Sequence, residues 1–230
     1  MQYITAQGIK ELLESEHIYD AAGRITMTLN NTSVVIQQND IVGNALQEWL
    51  GKVLQEHDIY FRPAEGQTFP DFYLSEDDTS NLCEMKTFYK APNFDVANYY
   101  GYVDSLIEKP YRIDSDYLIF KYTNDSQGNI KISDIWCKKV WEITGPAGDF
   151  DLKCQRKKGQ IVNIRPVTFQ SSKAKLQPFG SKEKLIAALY KTHLSTTNQT
   201  KVSKDWLNTF IENYKQYSGI DMKDSIYNLL

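Results

Sequence analysis

The chain is short of cysteine. Cys83, Cys137 and Cys154 are odd in number, far apart and without a C-x-x-C spacing. That argues against a disulfide framework and against a zinc site, and leaves buried thiols in a reducing compartment as the expectation. Histidine is equally sparse: His17, His57 and His193 form no spaced pair, and polar surface positions suit them better than catalysis. No apolar run reaches the roughly 18 residues that mark a transmembrane helix. The opening stretch, MQYITAQGIKELLESE, is amphipathic and acidic, with neither the basic n-region nor the apolar h-region of a secretory signal. Internal repeats, low-complexity tracts and a Pro/Gly/Ser-rich linker are also missing.

What is present is an ordinary globular mix, 41% hydrophobic and 24% charged over 230 residues. That is enough chain to bury a core without staples, and one domain spanning 1–230 is the expectation. The net charge of −3 does not advertise a polyanion ligand, but its distribution does. Residues 151–191 hold ten Lys and Arg against Asp151 and Glu183, a segment of +8 on a remainder of −11. A basic subregion on an acidic body is the footprint of a nucleic-acid binder; a lysine-rich solvated face is the plainer reading.

Apolar spacing predicts a helix over 6–20 through Ile9, Leu12, Leu13 and Ile18. ITMTLN and SVVIQQ read as a hairpin, and turn geometry alone accounts for Asn30 and Asn31. Asp40 looks like an N-cap for a helix with Ile41, Ala45, Trp49, Val53 and Leu54 on its buried face. Short strands follow at DIYFR, DFYL and LCEMKTF, then a helix over 94–109 that Pro110 stops. SDYLIFKY suits a central strand, and ISDIWCKKVWEI reads as another. A basic hairpin turns at Lys158-Gly159, and helices at 181–193 and 202–217 complete the pattern. Trp49, Phe120, Trp136 and Trp141 are read as core. The mixed order makes the fold α/β or α+β, a mixed central β-sheet flanked by helices.

The chemistry concentrates at Pro70-Asp71 and Glu84-Met85-Lys86, with twelve residues between the acids. Glu84 and Lys86 are two apart on a strand and share a face. If DFYL and LCEMKTF pair as a hairpin, Asp71 can face Glu84. Two converging carboxylates beside one lysine make a hard-oxygen site for Mg²⁺, a metal suited to phosphoryl chemistry. The lysine could position or activate the attacking water. The arrangement resembles the PD-(D/E)xK nuclease motif, with a helix carrying Glu48 upstream. The plainer readings are a loop cap and a solvated strand face. The acids Glu76, Asp77 and Asp78 are read as a solvated turn.

GNALQEWL, FPDFYLSEDDTSNLCEMKTF and NFDVANYYGYVDSLIEKPYRIDSDYLIF resemble type II restriction endonucleases of the NgoBV/NlaIV type, as do IWCKKVWEI, IRPVTF and PFGSKEKLIAALY. The similarity runs from about residue 40 to 191. It implies a restriction-endonuclease-like core and a Mg²⁺-dependent homodimer that cuts double-stranded DNA at a short palindrome in a prokaryotic cytoplasm, leaving 5′-phosphate and 3′-hydroxyl ends. A cognate DNA methyltransferase comes with the family. By the same resemblance Asp71 and Glu84 become metal ligands joined by the Met85 carbonyl, Lys86 becomes the catalytic lysine, and Glu48 is a further candidate ligand through water or a second metal. Competing readings are a repair nuclease or nickase on the same core and a DNA-binding module without chemistry.

Two segments have side chains that read DNA. Lys90, Asn93 and Asn98 follow the catalytic strand, and Lys and Asn are the partners of guanine and adenine edges. Gln170, Ser171, Ser172, Lys173 and Lys175 form a polar, basic loop of donors for phosphates and bases. An ordinary surface loop is the alternative for each.

Overall fold

The computed structural model describes residues 1–66, 68–148, 150–196 and 205–230. In chain order the elements are α1 (Ala6–Ser15), β1 (Ile25–Leu29), β2 (Thr32–Ile36), α2 (Val42–Glu56), β3 (Arg62–Pro63), β4 (Phe72–Tyr73), β5 (Leu82–Phe88), β6 (Ala97–Asn98) and α3 (Tyr99–Glu108). Then come β7 (Asp116–Asn124), β8 (Ile130–Lys139), β9 (Cys154–Lys157), β10 (Gln160–Ile164), α4 (Lys182–Thr196), α5 (Asp205–Ser218) and α6 (Lys223–Tyr227). Short 3₁₀ turns sit at Asn39–Ile41, Pro110–Asp114 and Val140–Glu142. The chain divides into two compact units that interleave in sequence. The first comprises Met1–Pro92 with Asp116–Lys138, the second Asn93–Ser115 with Lys139–Leu230.

The first unit is built on a five-stranded mixed sheet of order β3-β4-β5-β7-β8. β5 is antiparallel to β4 and parallel to β7, with Met85 beside Leu118 and Lys86 beside Ile119. Side chains alternate across a strand. Cys83 and Met85 therefore turn one way, into a core shared with Ile9 and Leu13 of α1, Leu50 and Leu54 of α2, and Leu118 and Phe120 of β7. Glu84 and Lys86 turn the other way. α1 begins with Thr5, whose hydroxyl accepts the Gly8 N–H, one of the orphan donors that every helix start must satisfy. α2 comes close to β5 because Gly43 faces it: a Cβ there would lie 3.1 Å from Thr87 Oγ1. The β1–β2 hairpin forms a separate two-stranded sheet with Asn30 at φ 51° in its turn.

The second unit holds the three-stranded sheet β6-β10-β9 and helices α3 to α6. Its core includes Tyr99, Tyr102 and Leu106 of α3, Leu185 and Leu189 of α4, and Trp206, Phe210 and Tyr214 of α5. The β9–β10 turn has Lys158 at φ 50° and Gly159 at φ 80°, the left-handed pair a two-residue hairpin requires. The whole basic stretch 151–191 falls in this unit.

Several local expectations need correction. Asp40 does not cap α2: it lies in the 3₁₀ turn, and the N-cap is Ile41 without a side-chain bond. The buried stripe of α2 is Val42, Leu50, Val53 and Leu54, while Trp49 is 36% exposed. The helix expected from 94 starts at Tyr99, because Ala97–Asn98 pairs with β10 and Asn98 then caps the helix. His193 is not at the surface but buried, near the rings of Tyr99, Tyr100 and Trp206. Phe120 is fully buried, and Trp136 and Trp141 are half-buried. Of the helix expected over 202–217, residues 202–204 lie outside the described residues. Cys83 is buried, Cys137 and Cys154 are half-buried, and none of the three forms a disulfide. No helix among the described residues is long and apolar enough to cross a membrane.

Candidate active site

The constellation read from the sequence assembles within the first unit. The β4–β5 ladder pairs Tyr73 with Leu82 and Phe72 with Cys83. One step further along this register, Asp71 stands opposite Glu84. The ladder stops at Phe72, so the next outward-facing donor of β5 lacks a backbone partner. Asp71 supplies one instead: its Oδ2 accepts the Met85 N–H at 2.7 Å. A buried strand donor must be satisfied, and here a site carboxylate satisfies it. In an extended strand the N–H and C=O of one residue point the same way, which is how paired residues exchange both bonds. The Met85 carbonyl accordingly faces the same side as Asp71.

Glu84 is buried, and its Oε1 accepts a bond from Lys86 Nζ at 2.7 Å. The Lys86 side chain is 20% exposed and that of Glu84 11%. The pair therefore sits where screening is weak, with the ammonium still reachable from solvent. Burial raises the Asp71 carboxyl above its ordinary range, against the pull of the Met85 N–H, the Lys86 charge and a hydrogen bond from Gln47. A carboxylate whose charge is disfavoured by burial gains from a further positive charge placed beside it.

Gln47 is the residue that sequence reading missed. It belongs to α2, one position before Glu48, and Glu48 points to the exposed side. Gln47 lies three and seven residues before Leu50 and Leu54, on the helix face turned to the sheet. The periodicity of those leucines was the signal that could have found it.

The donors here are two carboxylates and the Met85 carbonyl, all oxygen. Among the described residues no group of three or more His, Cys, Asp or Glu could hold a metal ion. Such a set is too small for an all-protein cage. It fits Mg²⁺, which binds through one or two carboxylates and keeps places for water and phosphate. It does not fit a soft metal. The acids between the motif halves are engaged elsewhere: Tyr3 donates to Glu76, Arg62 pairs with Asp78, and Asp77 accepts from the Thr79 N–H and hydroxyl.

The residues expected to read DNA are spread over both units. Lys90 is exposed, with Nζ 5.4 Å from the Tyr89 ring centre. Asn93 is exposed and its carbonyl accepts from Arg165. Asn98 is committed at both ends of its amide, accepting from the Gly101 N–H and donating to the Val162 carbonyl. The loop at 170–177 is folded about Gln177, whose Nε2 is within 3.1 Å of the Ser172 carbonyl and makes a closer approach to that of Ala174. Ser172, Lys173 and Lys175 are exposed on it, while Gln170 and Ser171 are half-buried. Lys173 and Lys175 border a cleft of about 370 Å³ that also includes Lys153 and Thr168.

A family model described as NgoBV restriction endonuclease matches residues 3–228, well beyond the 40–191 stretch whose likeness is visible by eye. The chain is 38% identical over 220 residues to the type II restriction enzyme NlaIV of Neisseria lactamica, covering 93% of this chain and 90% of that protein. It is 37% identical over 166 residues to the type II restriction enzyme NgoBV of Neisseria gonorrhoeae, covering 69% of this chain and 93% of that one. A solved structure of NlaIV restriction endonuclease superposes with a TM-score of 0.90 at 36% identity, over 96% of this chain and 92% of that one.

Proposed function

The chain belongs to the NgoBV family of type II restriction endonucleases, and from that membership we propose that it hydrolyses double-stranded DNA at a short palindromic site, with Mg²⁺, as a homodimer. The observation that carries the proposal is the register that sets Asp71 opposite Glu84, with Lys86 two residues on and bonded to Glu84 at 2.7 Å.

Asp71, Glu84 and the Met85 carbonyl would hold the metal, and Mg²⁺ bound there would supply positive charge for the phosphate and lower the pKa of a water. Lys86 positions the attacking water from the Glu84 side, near enough to the protein interior for its charge to act at short range. Gln47 donates to the Asp71 carboxylate and favours its charged form, against the burial that disfavours it. Glu48 faces solvent and serves at most through intervening water. The water oxygen bonds to phosphorus as the P–O3′ bond breaks; the phosphate stays on the 5′ end of one fragment, and the departing 3′-oxygen takes a proton to become the 3′-hydroxyl of the other. Lys90, Asn93 and the Gln170, Ser171, Ser172, Lys173 and Lys175 loop contact the duplex, the lysines at phosphates. Asn98 acts through the placement of α3. A symmetric target calls for a two-fold enzyme, each copy cutting one strand. Host DNA inside the same cytoplasm is protected by a cognate methyltransferase.

The test is digestion of DNA of known sequence with Mg²⁺ and with EDTA, followed by sequencing of the ends. Discrete fragments sharing a palindrome support the reading. Nicks or a smear assign the core to a repair-type nuclease, and the absence of any cleavage leaves a binding module.

A further inference from the structure

Two glycines fix how α2 lies beside the site. A Cβ on Gly43 would lie 3.1 Å from Thr87 Oγ1, one residue past Lys86 on β5. A Cβ on Gly51 would lie 3.4 Å from the Phe61 ring and 3.8 Å from that of Phe72, whose partner on β5 is Cys83. From Gly43 to Gly51 the helix advances about 12 Å, and from Thr87 back to Cys83 the strand covers about 13 Å. Helix and strand therefore keep level with each other, and Gln47, midway between the glycines, meets Asp71. Asn44 is seven residues before Gly51, two turns back on a bearing only about 20° different. Gly51 faces Phe72 of β4 and Phe61 at the start of β3, so Asn44 faces the same flank about 10 Å further back. That is level with Lys86, where the β4 ladder has already stopped. Asn44 is exposed, and its amide opens onto the place that the strand has vacated.

Nothing in the helix itself asks for an amide at this position. The N-cap of α2 is Ile41, so Asn44 is the third residue inside, where Asn has no capping role and is a poorer helix former than Ala, Leu or Glu. A carboxylate would suit a first turn better, yet that of α2 carries none. The neighbouring acids are turned elsewhere. The charge of Asp40 is felt by the Tyr122 hydroxyl, toward β7 and away from the gap. Glu48, one turn on from Asn44, is rotated about 40° further toward solvent. An amide offers two N–H donors without charge. Beside Asp71, Glu84 and Lys86, that is a donor for a phosphate oxygen at a place where one more carboxylate would repel the DNA backbone.

We propose that Asn44 donates its amide to a non-bridging phosphate oxygen of the DNA strand being cut, at the scissile phosphate or a neighbour, and so sets that strand over Asp71 and Glu84. The proposal rests on the nuclease reading above and adds a substrate-binding residue to it. The experiment compares wild type, Asn44→Ala and Asn44→Asp as full chains. Gel shifts in Ca²⁺ use the target duplex, either native or with one neutral methylphosphonate at the scissile phosphate or at the phosphate on either side. Single-turnover cleavage in Mg²⁺ uses the native duplex, and thermal melts in EDTA check the fold. Asn44→Ala should lose about 10–100-fold in affinity, the loss of one hydrogen bond to a charged group, with a fall in cleavage rate at sub-saturating enzyme to match. Asn44→Asp should lose roughly another 10-fold, because a carboxylate then faces a phosphate. Its melting point should nevertheless equal or exceed that of the wild type, since an acid suits the first turn of a helix. With a methylphosphonate at the contacted position, the Asp variant should bind as well as the Ala variant. A purely structural role, or a place on the metal, predicts the opposite order, with Asp the better replacement. That order, wild-type affinity in both variants, or an Asp deficit that persists on every methylphosphonate duplex would overturn the proposal and leave the nuclease reading standing. If the wild type neither binds nor cuts DNA, the nuclease reading falls and the role of Asn44 with it.

Discussion

Replacing Asp71 separates its two tasks. Asp71→Ala removes a metal ligand and leaves the Met85 N–H, bonded at 2.7 Å in the wild type, without an acceptor. An unsatisfied, partly buried donor costs about 1–2 kcal/mol, which for a chain of this size is a fall in melting temperature of roughly 2–8 °C. Asp71→Asn also removes the ligand charge but keeps a side-chain oxygen for that donor, so most of the loss should not appear. The pH dependence supplies a second readout. The folded carboxyl titrates above its unfolded value because burial disfavours its charge. Its contribution to stability is therefore full below the unfolded pKa and is lost as pH rises through the folded one. In EDTA at neutral or alkaline pH the Asn variant should be the more stable protein, and the gap to wild type should close on acidification. The assays are thermal and urea unfolding in EDTA over a pH series, with DNA cleavage in Mg²⁺ alongside. Both variants should fail to cut. Equal stability of the Ala and Asn forms would refute the role given to the Met85 bond. An Asn variant less stable than wild type at alkaline pH would refute the burial argument, and wild-type cleavage by either would refute the site.

Three further outcomes are expected. Lys86→Ala should lower the single-turnover cleavage rate by about 10²–10⁴-fold while gel-shift affinity for target DNA in Ca²⁺ changes little; a loss of affinity equal to the loss of rate would make Lys86 a binding residue. Gln47→Ala removes a donor that favours the charged form of Asp71, so the Mg²⁺ needed for half-maximal cleavage should rise by roughly 10–100-fold and the acid limb of the pH–rate profile should move to higher pH. Lys173→Ala/Lys175→Ala should reduce the slope of log affinity against log salt by up to about 2, measured by fluorescence anisotropy; an unchanged slope would remove this loop from the phosphate contacts.

The placement of Glu84 beside Lys86 was legible because it depends on the simplest of periods. Glu84 and Lys86 must share a face if their segment is a strand, and the strand itself announces its burial through Leu82, Cys83 and Phe88. The facing position of Asp71 was legible only as a condition, since two-residue β4 is too short to declare its register. Gln47 was hidden for a different reason. Adjacent helical residues diverge by about 100°, so choosing Gln47 over Glu48 depends on knowing the buried stripe, and Trp49 drew that stripe to the wrong side. Trp is seldom fully buried, and here its exposed edge borders a groove. Asn98 misled in the same way: a residue type suited to adenine is equally suited to capping, and its neighbours Tyr99 and Tyr102, both buried, required a helix to begin there. His193 was assigned to the surface from sequence, because the rings that bury it come from other elements, Tyr99 and Tyr100 of α3 and Trp206 of α5.

The parallel pairing of β5 with β7 has a consequence for synthesis. β5 ends at Phe88 and β7 begins at Asp116, and the intervening Asn93–Ser115 belongs to the other compact unit, which itself lacks everything beyond Lys139 at that moment. While this stretch leaves the ribosome, the strand bearing Glu84 and Lys86 has a neighbour on one side only. Its other edge offers unpaired backbone groups flanked by Leu82, Cys83 and Phe88, a template for pairing with a second nascent chain. Protection comes with Leu118 to Phe120, so the strand bearing Glu84 and Lys86 waits for its second neighbour until the whole crossover has been made. The vulnerable interval in the life of this enzyme is set by the length of one crossover, and slowing translation over residues 93–115 would lengthen it.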